Sequence, residues 1–148
     1  MKLSTDLNLA PVPKRINHRK GIFNPEGKLY IKLEAENPSV LIPAVRKTGL
    51  GWQVTASPKA PRQQVGLTIR LACDSDIRAE GYDLAISPEH MEITAADPAG
   101  AYYGACTLAQ ILRQCGGDGI CGFGGLLSAE SSRKLEIPCL SISDWPDL

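Results

Sequence analysis

Apolar and polar side chains alternate along much of this chain, and at one point the alternation gives way to a longer period. In Gly81–Ser87 the apolar Tyr82, Leu84 and Ile86 alternate with Asp83 and Ala85, the period-two signature of a half-buried strand. Met91, Ile93 and Ala95 repeat the pattern against Glu92 and Thr94. Between the two lies Ser87-Pro88-Glu89-His90, where Pro88 pre-sets its own φ for a turn, so the segments are expected to pair as an antiparallel hairpin. The period changes at Asp97-Pro98. The Asp97 carboxylate suits an N-cap and Pro98 suits the first helical position, where a missing donor costs nothing. Gly100, Gly104, Thr107, Leu108 and Ile111 then follow at three-and-four spacing, which predicts a helix over Asp97–Gln114. Each interior glycine costs roughly 1 kcal/mol of helix propensity relative to alanine. Such a cost is consistent with a helix face lying close on another backbone.

The earlier part of the chain supplies further strands. Residues 1 to 20 show no periodicity and are expected to be irregular, with Pro11 and Pro13 favouring extended backbone. Leu29, Ile31 and Leu33 alternate with Lys28, Tyr30 and Lys32, predicting a strand over Lys28–Leu33. Asn37-Pro38 opens a short helix running to Gly49, in which Pro43 is tolerable only if the helix starts late. Trp52–Ala56 and Val65–Cys73 read as strands, the second with Val65, Leu67, Ile69, Leu71 and Cys73 on one face. Gly116–Gly125 is dense in glycine and is expected to be mobile. Leu135–Asp144 is strand-like, and Pro138 confines it to a sheet edge or a bulge. The elements add up to an α+β fold, a mixed β-sheet with one long and one short helix packed on one face.

Composition narrows the function classes. With 148 residues one domain is the default, and 43% hydrophobic with 22% charged residues is ordinary for a globular protein. Sixteen basic residues balance sixteen acidic ones, so net charge gives no argument for nucleic acid or an anionic membrane as partner. No run reaches the length of a membrane-spanning helix. The start, MKLSTDLNLAPVPKR, lacks the apolar core of a secretory signal. Both a cytoplasmic protein and an exported one whose leader has been removed fit that start. Cys73, Cys106, Cys115, Cys121 and Cys139 are odd in number and form no CxxC pair, which favours free thiols over a disulfide framework or zinc site. A Cys115–Cys121 bridge stays open for an exported protein.

Glu80-Gly81-Tyr82-x-Leu84-x-Ile86, then Ile93-x-Ala95, then Ala99-Gly100-x-x-Tyr103-Gly104-x-x-Thr107-Leu108-x-Gln110-Ile111-Leu112 resembles the N-terminal domain of glycoside hydrolase family 20, the β-N-acetylhexosaminidases. Ile137-Pro138-x-x-x-Ile142-x-Asp144-x-Pro146 is similar to that family's exit from this domain into its catalytic barrel. The resemblance covers the second half of the chain well and the first half loosely, where Pro11-Val12-Pro13 is similar to the family's lead-in to its first strand. It implies that residues 1–148 are a single accessory domain ending at the border of a catalytic (β/α)8 barrel, with that barrel of the same polypeptide as its partner. The implied parent is a retaining, substrate-assisted hydrolase. Other glycosidase families, α-glucuronidases among them, carry a similar domain. A freestanding carbohydrate-binding or protein-interaction module is the alternative from a different class.

No constellation in the chain amounts to catalysis. Glycoside hydrolysis needs two acidic groups flanking the bond, and the resemblance implies an adjacent Asp-Glu pair in the barrel; this chain has no such dipeptide. The expected catalytic, cofactor-binding and metal-binding residues are therefore none. His18 and His90, the two histidines, have no cysteine or carboxylate at metal-ligand spacing. Gly117-Asp118-Gly119-Ile120-Cys121-Gly122 fits GxGxxG but follows a helix instead of joining a strand to one, so a dinucleotide site is not expected. Lys14, Arg15, His18, Arg19 and Lys20 cluster without an aromatic partner and suit a solvated edge segment better than a nucleic-acid patch. Trp52, Tyr82, Tyr102, Tyr103 and Trp145 are the aromatics available for weak glycan contact. Core packing is expected for Tyr82 and Tyr103, and an interdomain contact for Trp145.

Overall fold

The computed structural model describes residues 9, 13–57, 59, 61–72, 77–116 and 136–146. Among these residues seven strands form one sheet: β1 (Arg15–Phe23), β2 (Tyr30–Glu34), β3 (Gln53–Thr55), β4 (Val65–Leu71), β5 (Tyr82–Ile86), β6 (Met91–Ala95) and β7 (Ile137–Asp144). Two α-helices, α1 (Ile42–Thr48) and α2 (Pro98–Gly116), form the second layer. The strand order is β1-β7-β5-β6-β4-β2-β3. Pairing is antiparallel from β1 through β7 and β5 to β6, and parallel from β6 through β4 and β2 to β3. The expected mixed α+β fold is therefore present.

The hairpin and the long helix form as the periodicity predicts. Tyr82 pairs with Ala95 and Ile86 with Met91, and the Ser87 N–H donates to the His90 carbonyl at 3.0 Å to close the turn. Asp97 caps α2 through Oδ1, which accepts from the Gly100 N–H at 2.8 Å. Its Oδ2 accepts from the Glu80 N–H at 2.9 Å, tying the helix start to the loop before β5 and fixing Glu80 at φ 59°. In the first half, Pro38–Leu41 is a 3₁₀ turn capped by Asn37, and α1 begins only at Ile42. Pro43 therefore sits in the first turn, where its missing N–H has no helical acceptor to lose. Gly49 ends α1 in the left-handed conformation, at φ 75°.

One core joins the two layers. Leu84, Ile86, Met91 and Ile93 on the hairpin, Leu67 and Ile69 on β4, and Leu108, Ile111 and Leu112 on α2 are all fully buried. α2 packs across β4, β5 and β6, and α1 packs along α2. The opposite face of the sheet is polar. There Arg70 on β4 bridges Glu34 on β2, at 2.7 Å, and Glu92 on β6, at 2.6 Å, while Lys32 reaches Glu34 at 3.1 Å.

Four expectations need correction. Residues 15–20, expected to be irregular, belong to β1; this edge strand exposes nearly every side chain, so it has no apolar alternation to read. β7, expected at an edge or bulge because of Pro138, is not an edge strand but lies between β1 and β5, while its pairing with β1 is irregular beside Pro138. Pro138 is accommodated because β5 pairs with β7 only from Leu140 onward, leaving β1 as its sole neighbour, and because the irregularity sits in β1 between His18 and Ile22. Gly21 takes up that irregularity at φ +104°. Leu29, expected to face inward with Ile31 and Leu33, precedes the ladder and is 49% exposed. The fourth is Tyr103, 44% exposed on the outside of α2. The buried stripe runs through Gly100, Gly104, Leu108 and Ile111, and one residue of offset turns Tyr103 by about 100° away from it.

Candidate functional site

A polar pocket of about 520 Å³ opens where β5, β6 and β7 meet the start of β1. The pleat places it: Asp83, Thr94 and Ser143 point to the sheet face opposite the buried Tyr82, Leu84 and Ile93, and register pairs both Thr94 and Ser143 with Asp83. Arg15 enters from β1, Ile77 and Arg78 from the loop before β5, and Asp144 and Trp145 from the end of β7. Ser143 Oγ donates to Asp83 Oδ1 at 2.6 Å, and the Lys14 backbone N–H donates to Asp144 Oδ1 at 3.2 Å.

Three cations surround the Trp145 indole. The Arg78 guanidinium lies 4.7 Å from the ring centroid, that of Arg15 5.6 Å and the Lys14 ammonium 5.8 Å. Each is within range of the ring quadrupole, a contact worth about 0.5–1 kcal/mol where solvent reaches it. Among the described residues neither Arg15 nor Arg78 pairs with a carboxylate.

Tyr82 also lines the pocket, and its Oη stands 2.5 Å from Thr107 Oγ1, one hydroxyl donating to the other inside the core. Burial pushes the Tyr82 phenol up to about 12, with the Thr107 hydrogen bond opposing the shift and the Asp144 charge adding to it.

The residues singled out in the sequence are dispersed. Trp52 is half-buried against Gly66 of β4, while Tyr102 and Tyr103 stand on the outer face of α2 with ring centroids 6.3 Å apart. Tyr82 packs in the core as expected, and Trp145 lines the pocket. His18 is exposed on β1 and His90 is half-buried in the hairpin turn. Lys14, Arg15, His18, Arg19 and Lys20 are exposed at the edge of the sheet, but, contrary to expectation, Lys14 and Arg15 have an aromatic partner in Trp145. Cys106, Cys115 and Cys139 are free thiols, and burial pushes Cys115 up to about 11. Cys73, Cys121 and the GxGxxG segment lie outside the described residues. Among the described residues no group of three His, Cys, Asp or Glu side chains could hold a metal ion, and no helix is long and apolar enough to cross a membrane.

Sequence reasoning missed Arg15, Arg78, Asp83, Thr94 and Ser143 as a group. Alternation does place Asp83 and Thr94 on one polar face. That β7 lies beside β5, with β1 beyond it, is a matter of topology that no local pattern carries.

Comparison with curated proteins gives no match. The family model for glycosyl hydrolase family 20, domain 2, matches residues 6–145. Among solved structures, the β-N-acetylhexosaminidase of Bacteroides fragilis is similar at TM-score 0.64 and 22% identity, over 95% of this chain and 25% of that one. The N-acetyl-β-hexosaminidase of Streptomyces plicatus matches at TM-score 0.69 and 19% identity, over 99% of this chain and 27% of that one. The chitobiase of Flavobacterium johnsoniae matches at TM-score 0.60 and 22% identity, over 97% and 21%. The chain thus spans roughly a quarter of the length of these structures. Because the family model covers nearly the whole chain, and the sheet-and-helix architecture is shared with these enzymes, the chain belongs to glycosyl hydrolase family 20 as its domain 2.

Proposed function

We propose that residues 1–148 form one accessory domain of a β-N-acetylhexosaminidase-like glycoside hydrolase, and that its work is to pack against and support a catalytic (β/α)8 barrel of the same polypeptide. The observation carrying this reading is the domain-2 match over residues 6–145 in a chain about a quarter as long as the related structures. The geometry agrees with it. The sheet covers one side of α2, while the other side presents Tyr102 and Tyr103 at 38% and 44% exposure, large rings suited to a contact that excludes water.

On this reading the chain supplies no catalytic residue, cofactor ligand or metal ligand of its own. The carboxylates nearest a pocket are already engaged, Asp83 by the Ser143 hydroxyl and Asp144 by the Lys14 N–H. Assay of this chain on a chromogenic N-acetylglucosaminide should give no turnover above buffer. Turnover abolished by Asp83→Asn or Asp144→Asn would refute the accessory role.

A further inference from the structure

The pocket at the end of β7 has a donor set with a definite chemical preference, and we infer that it binds a sugar acid, a hydroxylated carboxylate of the uronate class. The Arg78 and Arg15 guanidiniums lie 4.7 and 5.6 Å from the Trp145 ring centroid, where attraction to the ring holds them beside the indole. A guanidinium carries its N–H donors in a planar fork that matches the two oxygens of a carboxylate. Both groups line the pocket, and among the described residues no protein carboxylate meets them.

The same pocket holds acceptors. Asp83 and Asp144 each have carboxylate lone pairs beyond the single hydrogen bond already described, and Thr94 and Ser143 add hydroxyls. A bare anion would gain from the arginines and lose to the aspartates. A neutral sugar would satisfy the aspartates and leave the guanidiniums idle, with the indole already attended by cations. A molecule that carries a carboxylate at one end and hydroxyl donors at the other satisfies both sets. The volume of about 520 Å³ suits one or two sugar rings and lies within the usual range for small-ligand sites. This inference stands apart from the accessory role, since it concerns groups that this chain itself brings together.

The test is a titration of the isotopically labelled chain with sodium glucuronate, glucose and sodium acetate, following the Trp145 indole resonance. Saturable binding of glucuronate is expected, at least about tenfold tighter than glucose or acetate, because each of these leaves one set of pocket groups unpaired. Arg15→Gln combined with Arg78→Gln should abolish it. Both side chains are exposed, so the variant should fold, and Arg46→Gln on α1 serves as the control that leaves binding unchanged. Acetate binding as tight as glucuronate would reduce the pocket to an anion site and overturn the inference, as would a response that survives loss of both arginines. So would glucuronate binding by this chain that vanishes in the full gene product, which would show the pocket filled by the polypeptide itself.

Discussion

The start of α2 rests on the backbone before β5: a β-carbon placed on Gly100 would collide with the carbonyl oxygen of Gly81. Helix propensity alone predicts that alanine at Gly100 would gain roughly 1 kcal/mol. The collision is with main chain, which no rotamer change can clear, so Gly100→Ala should instead destabilise by about 3 kcal/mol, the upper end for overpacking. Gly104 differs, because its β-carbon would meet side chains instead of main chain, Ile93 Cγ2 at 2.9 Å and the Tyr82 ring at 3.1 Å, which must shift by a few tenths of an ångström within the packed core. Gly104→Ala should cost about 1 kcal/mol net, and urea unfolding of the two variants will show whether the order holds.

Tyr82→Phe removes the buried hydroxyl that meets Thr107 and should cost about 1–2 kcal/mol. Because Thr107→Val removes the other half of the same pair, the double variant should cost clearly less than the sum. The phenol also sets an alkaline limit. Its folded value of about 12 exceeds the ordinary 10, so the folded chain keeps a proton that the unfolded chain releases. Stability is full below pH 10 and falls as pH rises from 10 through 12. Denaturant midpoints across that window should fall less steeply in Tyr82→Phe than in the parent.

At the acid end the polar face of the sheet matters. The Arg70 hydrogen bond holds the Glu34 carboxyl below its ordinary 4.5, with Lys32 assisting and partial burial opposing. The stabilisation is present above 4.5 and is lost as pH falls through the lower folded value. These side chains are 34% and 41% exposed, so solvent screening keeps the contribution under about 1 kcal/mol. Arg70→Met should shallow the acid limb of the stability profile by that amount, and strong salt should shallow it in the parent.

What the sequence made legible follows from how local each signal is. The hairpin, the Asp97 cap and the buried stripe of α2 depend on residues within a few positions of one another, and all three are in place. β1 escaped notice because an exposed edge strand has no buried face to generate alternation. The position of β7 depends on a crossover through α2, which returns the chain beyond β5, so its interior place in the sheet is not written in the residues around Pro138. The Trp145 pocket is the extreme case: its lining comes from β1, the loop before β5, the hairpin and the end of β7. Only the assembled sheet brings Arg15 within reach of Asp144 and Trp145.

The outer face of α2 distinguishes folding from docking. Tyr103 projects away from the core, so Tyr103→Ser should change the stability of this chain by no more than about 0.5 kcal/mol. In the full gene product the same substitution should lower the melting temperature measurably, since there the ring would pack on the barrel. Equal effects in both settings would place Tyr103 outside any interface.

The melting of this domain with and without its barrel tests the accessory role most directly. Calorimetry of the full gene product should show the domain unfolding in one cooperative transition with the barrel, at a higher temperature than the 148-residue chain by itself. A domain transition at the same temperature in both would contradict the claim that the two parts support one another.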